Sequence, residues 1–198
     1  VLFEGYTHGS ASLSLPYSDW LTNEHRTELL QDLEYGLNFL RASVAAGCAP
    51  YLGGTWPKLL ESPPDDAAWR AQFDAYDQAL RYRRDVWRRQ LAIEGLSDDL
   101  WIVPYHLMFA RFYDDDVAGR LPAGVTSHRD FHALDVVAHA GGVGNGNHPY
   151  MLNPLSAYCA WCMTREVVQG EDASAMPAHP VDGVTEDLAA YLRGVAVE

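Results

Sequence analysis

Residues 127–139, SHRDFHALDVVAH, place His128, His132, Asp135 and His139 at positions i, i+4, i+7 and i+11. On an α-helix these four side chains fall within a sector of roughly 60°. Phe131, Leu134, Val137 and Ala138 lie on a separate apolar arc, centred about 110° away. The polar face therefore flanks the buried stripe, where a cleft between helices opens. Residues four apart on a helix can share one metal ion, and here HxxxH is followed directly by DxxxH. Imidazole and carboxylate donors suit Zn²⁺, Fe²⁺ or Mn²⁺ without choosing among them. A metal held there would activate water for hydrolysis. Without a metal, the same face supports acid–base chemistry, with Asp135 and His148 as the catalytic groups. The plain structural alternative is a solvated face on which Asp135 pairs with a neighbouring histidine.

His148 ends the stretch GGVGNGNH, whose glycines allow the chain to return it over the histidine face. They do not form a phosphate cradle, because neither GxGxxG nor GxxxxGK[ST] occurs between a strand and a helix. Cys159 and Cys162 form a CxxC pair. The zinc deaminase pattern, HxE followed by PCxxC, fails at both ends: Leu134 stands at the glutamate position and Tyr158 at the proline. Two core cysteines are the simpler reading. Arg81, Arg84 and Arg88 share one helix face and are expected to pair with carboxylates on neighbouring helices. Asp114, Asp115 and Asp116 lack calcium-loop spacing and read as a solvated helix end. His25, with Glu24, Glu28 and Asp32 nearby, is a candidate facing ligand set.

The elements that position these residues are mostly helical. Leu29, Leu33, Leu37, Leu40 and Val44 recur at helical spacing, between a cap at Thr22 and a stop at Gly47. Trp69, Phe73, Tyr76, Leu80, Trp87 and Leu91 mark a long helix from Asp65 to about Gly95. Residues 98–117 fit period 2 and period 3.6 equally, and Pro104 divides them. Ser127 with Asp130 forms a capping box for the histidine helix. Asn153–Pro154 starts a helix through about Val168, and Thr185 starts a last short one. The expected fold is mainly α, a bundle of five or six helices with long loops and a small N-terminal β element, in a single globular domain, 1–198.

A net charge of −13 disfavours binding to nucleic acid or to an anionic membrane. No apolar run is long enough to span a bilayer. Three cysteines with no signal-peptide pattern suit a soluble protein of the reducing cytoplasm. Two functional classes follow. One is a small helical enzyme, hydrolytic and metal-dependent or metal-free, acting on a small-molecule substrate. The other is a metal-free interaction or immunity-type protein whose acidic surface blocks a basic protein partner.

Overall fold

The computed structural model describes residues 2–4, 26–54, 56, 66–132, 152–177 and 184–197. Over these residues the protein is mainly helical, as its periodicity predicts. The helices are α1 (Arg26–Ala45), α2 (Asp66–Ile93), α3 (Tyr105–Val117), α4 (Pro154–Gln169) and α5 (Glu186–Ala196). Two 3-10 turns, His128–Phe131 and Ala173–Ala175, join them. The proposed caps at Thr22 and Asp65, and Glu24 and His25 of the candidate facing ligand set, lie outside the described residues.

The expected N-terminal β element is β1 (Leu2–Glu4), and it has partners. β2 (Tyr51–Gly53) and β3 (Trp101–Val103) complete a parallel sheet of order β1-β2-β3. Leu2 pairs with Tyr51, and Tyr51 with Trp101. Parallel neighbours need a long crossover, so a helix follows each of the first two strands. Pro104 resolves the ambiguity of residues 98–117: β3 ends just before it and α3 begins just after it.

The chain divides into two compact units, Val1–Pro57 with Ala71–His106, and Lys58–Arg70 with Leu107–Glu198. The sequence offers no linker to mark this division, because two of the changes of unit fall inside helices α2 and α3. In the first unit, Leu40, Leu52, Trp87, Leu91 and Leu100 form the core, with Leu33, Leu37, Leu80 and Ile102 packed against it. The Trp87 indole N–H donates to the Leu33 carbonyl at 2.8 Å, so the ring is both buried and satisfied.

In the second unit, Phe112 of α3 stacks on Phe131 with ring centroids 3.8 Å apart. Cys159 and Cys162 are core cysteines: both are buried, and the Cys159 thiol contacts the Leu192 carbonyl at 3.3 Å. Burial raises both thiol pKa values, which keeps them protonated and unreactive. The Asn153 side chain caps α4 by accepting from the N–H groups of Leu155 and Ser156, and Thr185 caps α5 by accepting from Leu188.

Within α5, a methyl group added at Gly194 meets nothing within 4 Å. Gly194→Ala is therefore expected to raise stability by about 0.5–1 kcal/mol through helix propensity, read as a higher urea midpoint. No helix among the described residues is long and apolar enough to cross a membrane.

Candidate functional site

Ser127 and Asp130 form the predicted capping box, but the helix they start is a single 3-10 turn. His132 has already left it, with φ −106° and ψ 149°, and bridges Leu152 in antiparallel fashion. The expected α-helix carrying His128 and His132 one turn apart is thus not formed. Asn153 supplies the physical reason. Its side-chain amide donates to the carbonyl of Asp130, which in a continuing α-helix would accept from residue 134, and it also reaches the carbonyl of His132 at 3.5 Å. Phe131 draws the turn inward against Phe112. Asp130 is committed as well, accepting from the Thr126 N–H and hydroxyl at 2.7 and 2.8 Å. Asp135, His139 and His148 lie outside the described residues.

The two described histidines nevertheless meet in one place. Both are buried in the second unit, each 4 % exposed. Their rings share Trp69: His128 stacks on it at 5.6 Å, and His132 meets it edge-on at 5.4 Å. Tyr113 closes on His128 edge-to-face at 5.1 Å, and Phe109 stacks on His132 at 4.4 Å. Aromatic surfaces, and not a helix face, bring the imidazoles together.

Asp116 sets the state of His128. Its Oδ2 accepts from the His128 backbone N–H at 2.9 Å and lies 2.8 Å from the ring Nδ1. A carboxylate only accepts, so Nδ1 carries a proton. Nε2 has no hydrogen-bond partner among the described residues. The nearest carboxylate oxygen, Asp66 Oδ2, is 3.5 Å away and already accepts from Arg129.

His132 is more unusual. Neither of its ring nitrogens has a hydrogen-bond partner among the described residues. Burial, reinforced by the nearby His128 and Arg129, depresses its pKa to about 3 against the opposing pull of Asp66. The ring is therefore neutral at physiological pH. Leaving a buried polar atom unpaired costs about 1–3 kcal/mol, and buried groups left so are uncommon in folded proteins. No protein-family model, curated protein or solved structure matches the chain. The reading of this site therefore rests on its own geometry.

Among the described residues, no three His, Cys, Asp or Glu side chains are placed to share one metal ion. The acidic run 114–116 is not the solvated helix end its sequence suggests. Asp114 takes the Arg70 guanidinium at 2.8 and 2.9 Å, and Asp116 takes His128. Asp115, 1 % exposed, accepts from Arg111, Arg120 and the Tyr191 hydroxyl at 2.8, 2.7 and 3.0 Å. Burial pushes its carboxyl pKa up, but these three donors outweigh that and hold it below the usual range. Successive residues on a helix point about 100° apart, so each aspartate meets a different partner. The sequence signal for Asp116 was present in this run, but nothing in the spacing linked it to His128. The arginine cluster of α2 also differs from expectation, since Arg81 and Arg84 pair with Asp77 and Asp85 of their own helix.

Proposed function

We propose that the protein is a hydrolase whose chemistry is carried by the histidine centre of the second unit, with His128 as general base. One observation carries this reading: the Asp116 carboxylate holds Nδ1–H of a buried imidazole, and Nε2 has no hydrogen-bond partner among the described residues. A carboxylate that fixes tautomer and orientation, with the opposite nitrogen free to take a proton, is the arrangement general-base catalysis uses. In the proposed step, Nε2 takes a proton from water as the water oxygen attacks an acyl carbon. The imidazolium then returns that proton to the leaving oxygen. Neutral His132 supplies a hydrogen bond to water or substrate. Asp135, His139 and His148 are the candidates for the remaining polar groups.

A second reading has its own support. Metal-bound imidazoles characteristically donate their other N–H to a carboxylate, and His128 does so to Asp116. A Zn²⁺, Fe²⁺ or Mn²⁺ ion on His128 and His132 would need further ligands, for which Asp135 and His139 are the candidates. The free thiols favour a reducing, cytoplasmic setting for either reading.

The test is hydrolysis of a panel of chromogenic acyl esters by the wild type, His128→Gln and Asp116→Asn. General-base loss predicts a fall of about 10²–10⁴-fold in kcat/KM for His128→Gln. Asp116→Asn is expected to lose activity too, because an amide permits the wrong tautomer. Metal content of the untagged protein decides between the two readings: a stoichiometric transition metal, lost in His132→Ala, selects the second. Undiminished hydrolysis by His128→Gln would remove His128 from the chemistry altogether.

A further inference from the structure

His128 lies between two carboxylates. Asp116 of α3 holds Nδ1 at 2.8 Å, and Asp66, the first residue of α2, places Oδ2 3.5 Å from Nε2. Hydrogen bonds between a cationic N–H and a carboxylate span about 2.7–2.9 Å, so Asp66 stands just out of reach. The residue after His128 explains why. Arg129 Nε donates to Asp66 Oδ2 at 3.2 Å, and Arg129 Nη2 donates to Oδ1. One guanidinium thus engages both oxygens, a bidentate geometry that fixes the two partners together. The Arg129 and Asp66 side chains are only 22 % and 26 % exposed, so solvent and salt screen the pair less than a surface one.

The capping of the 3-10 turn builds this arrangement. Ser127 Oγ accepts from the Arg129 N–H, and the turn directs two consecutive side chains, His128 and Arg129, at the same carboxylate of α2. The other titratable groups around the ring are occupied. Asp130 accepts from Thr126, Tyr113 meets His128 through its ring, and His132 is neutral. Asp66 is therefore the carboxylate placed to bind Nε2. A carboxylate within about 4–6 Å favours a protonated imidazole, and a guanidinium bound to that carboxylate offsets the attraction. The same opposition reaches the neighbouring ring: at His132, after burial and His128, Arg129 lowers the pKa and Asp66 resists it.

We propose that Arg129 is a positioning residue of the histidine centre: its grip on both Asp66 oxygens withholds that carboxylate from His128 Nε2, and so keeps the nitrogen unprotonated. The functional meaning rests on the general-base reading of His128, since a base needs that lone pair. Without the guanidinium, Asp66 turns to Nε2 and the ring takes a second proton from solvent. The resulting imidazolium sits between Asp116 and Asp66, with no lone pair left for chemistry.

The test is nitrogen NMR at neutral pH of the full chain labelled with ¹⁵N-histidine. It compares the wild type, Arg129→Gln, and Arg129→Gln combined with Asp66→Asn, each checked for folding by circular dichroism. Wild-type His128 is expected to show a protonated Nδ1 and an unprotonated Nε2, and Arg129→Gln to show both nitrogens protonated. The double variant is expected to regain the unprotonated Nε2, because the freed carboxylate is gone. A merely structural role for Arg129 predicts no such repair, only added damage. In ester hydrolysis, the rising limb of kcat/KM against pH is expected to move up by about 1–3 pH units in Arg129→Gln and to return in the double variant. Should Arg129→Gln not fold, Arg129→Lys, whose ammonium cannot grip both oxygens as a fork, is read in the same way. A wild type that shows the expected NMR pattern but hydrolyses no ester would overturn the base reading alone. An unprotonated Nε2 in the folded single variant, or a protonated one in the wild type or the folded double variant, would overturn the proposal.

Discussion

Gly36→Ala is expected to destabilise the first unit by about 2–3 kcal/mol, although the same substitution in a helix ordinarily stabilises. Gly36 lies inside α1, where alanine would contribute about 1 kcal/mol in helix propensity. A Cβ there would sit 2.2 Å from Trp87 Cζ2 and under 3 Å from two further ring atoms. The indole is 1 % exposed and anchored to the Leu33 carbonyl, so it cannot swing aside as a flexible chain end would. Overpacking a filled core costs about 1–3 kcal/mol, occasionally more, and shifting the ring weakens a hydrogen bond worth about 1 kcal/mol. The clash therefore exceeds the propensity gain. Thermal unfolding should show a midpoint lowered by roughly 2–4 °C per kcal/mol. Gly194→Ala measured alongside it should move the other way, and two shifts of the same sign would contradict the packing described around Trp87.

The second large effect is acid sensitivity. His132 titrates near 3 in the folded chain and near its ordinary value of 6.5 when unfolded. Between those values the unfolded chain binds a proton that the folded chain refuses, so stability rises with pH across the window and falls as acid is added from pH 6.5 towards 3. Each pH unit inside the window costs about 1.4 kcal/mol. Asp77 also contributes, but only lower down: its depressed pKa gives stability that is present above its unfolded value of 3.8 and lost as pH falls towards 2. The interval from pH 6.5 to 4 consequently separates the histidine from this carboxylate. His132→Phe, which keeps a ring against Phe109, is expected to flatten the slope there in urea titrations at successive pH values. A wild-type slope retained in that variant would show that other groups produce it. Removing two unpaired nitrogens is also expected to make the variant more stable and less active, the usual exchange at a functional site.

Much of the helical frame is legible in the sequence because it follows from repetition. The stripe from Trp69 to Leu91 and the caps at Ser127, Asn153 and Thr185 each have a local physical cause, and each appears in the fold. The sheet was only partly legible, since three-residue strands are too short for alternation to register and their pairing joins residues far apart in the chain. The histidine centre shows the same limit. Helical spacing groups His128 with His132, but spacing is not what brings the two rings together in the fold. What unites them is Trp69, some sixty positions earlier, and what breaks the helix between them is an amide donated by Asn153 from the far side of residues 133–151. Likewise, His106 and Asp77 carry no motif. They sit in different helices, and only the tertiary fold pairs them.

Asn153 and the His132–Leu152 bridge have an evolutionary consequence. Together they fasten both ends of the stretch 133–151 at the base of the histidine centre. For a segment pinned in this way, the entropy of ring closure grows only as the logarithm of its length, about 0.6 kcal/mol per doubling. Insertions and deletions between the two pins are therefore thermodynamically cheap as far as closure is concerned. Divergent descendants of this chain can change the length of that stretch while the staple, and the pair of rings it holds, stays in place.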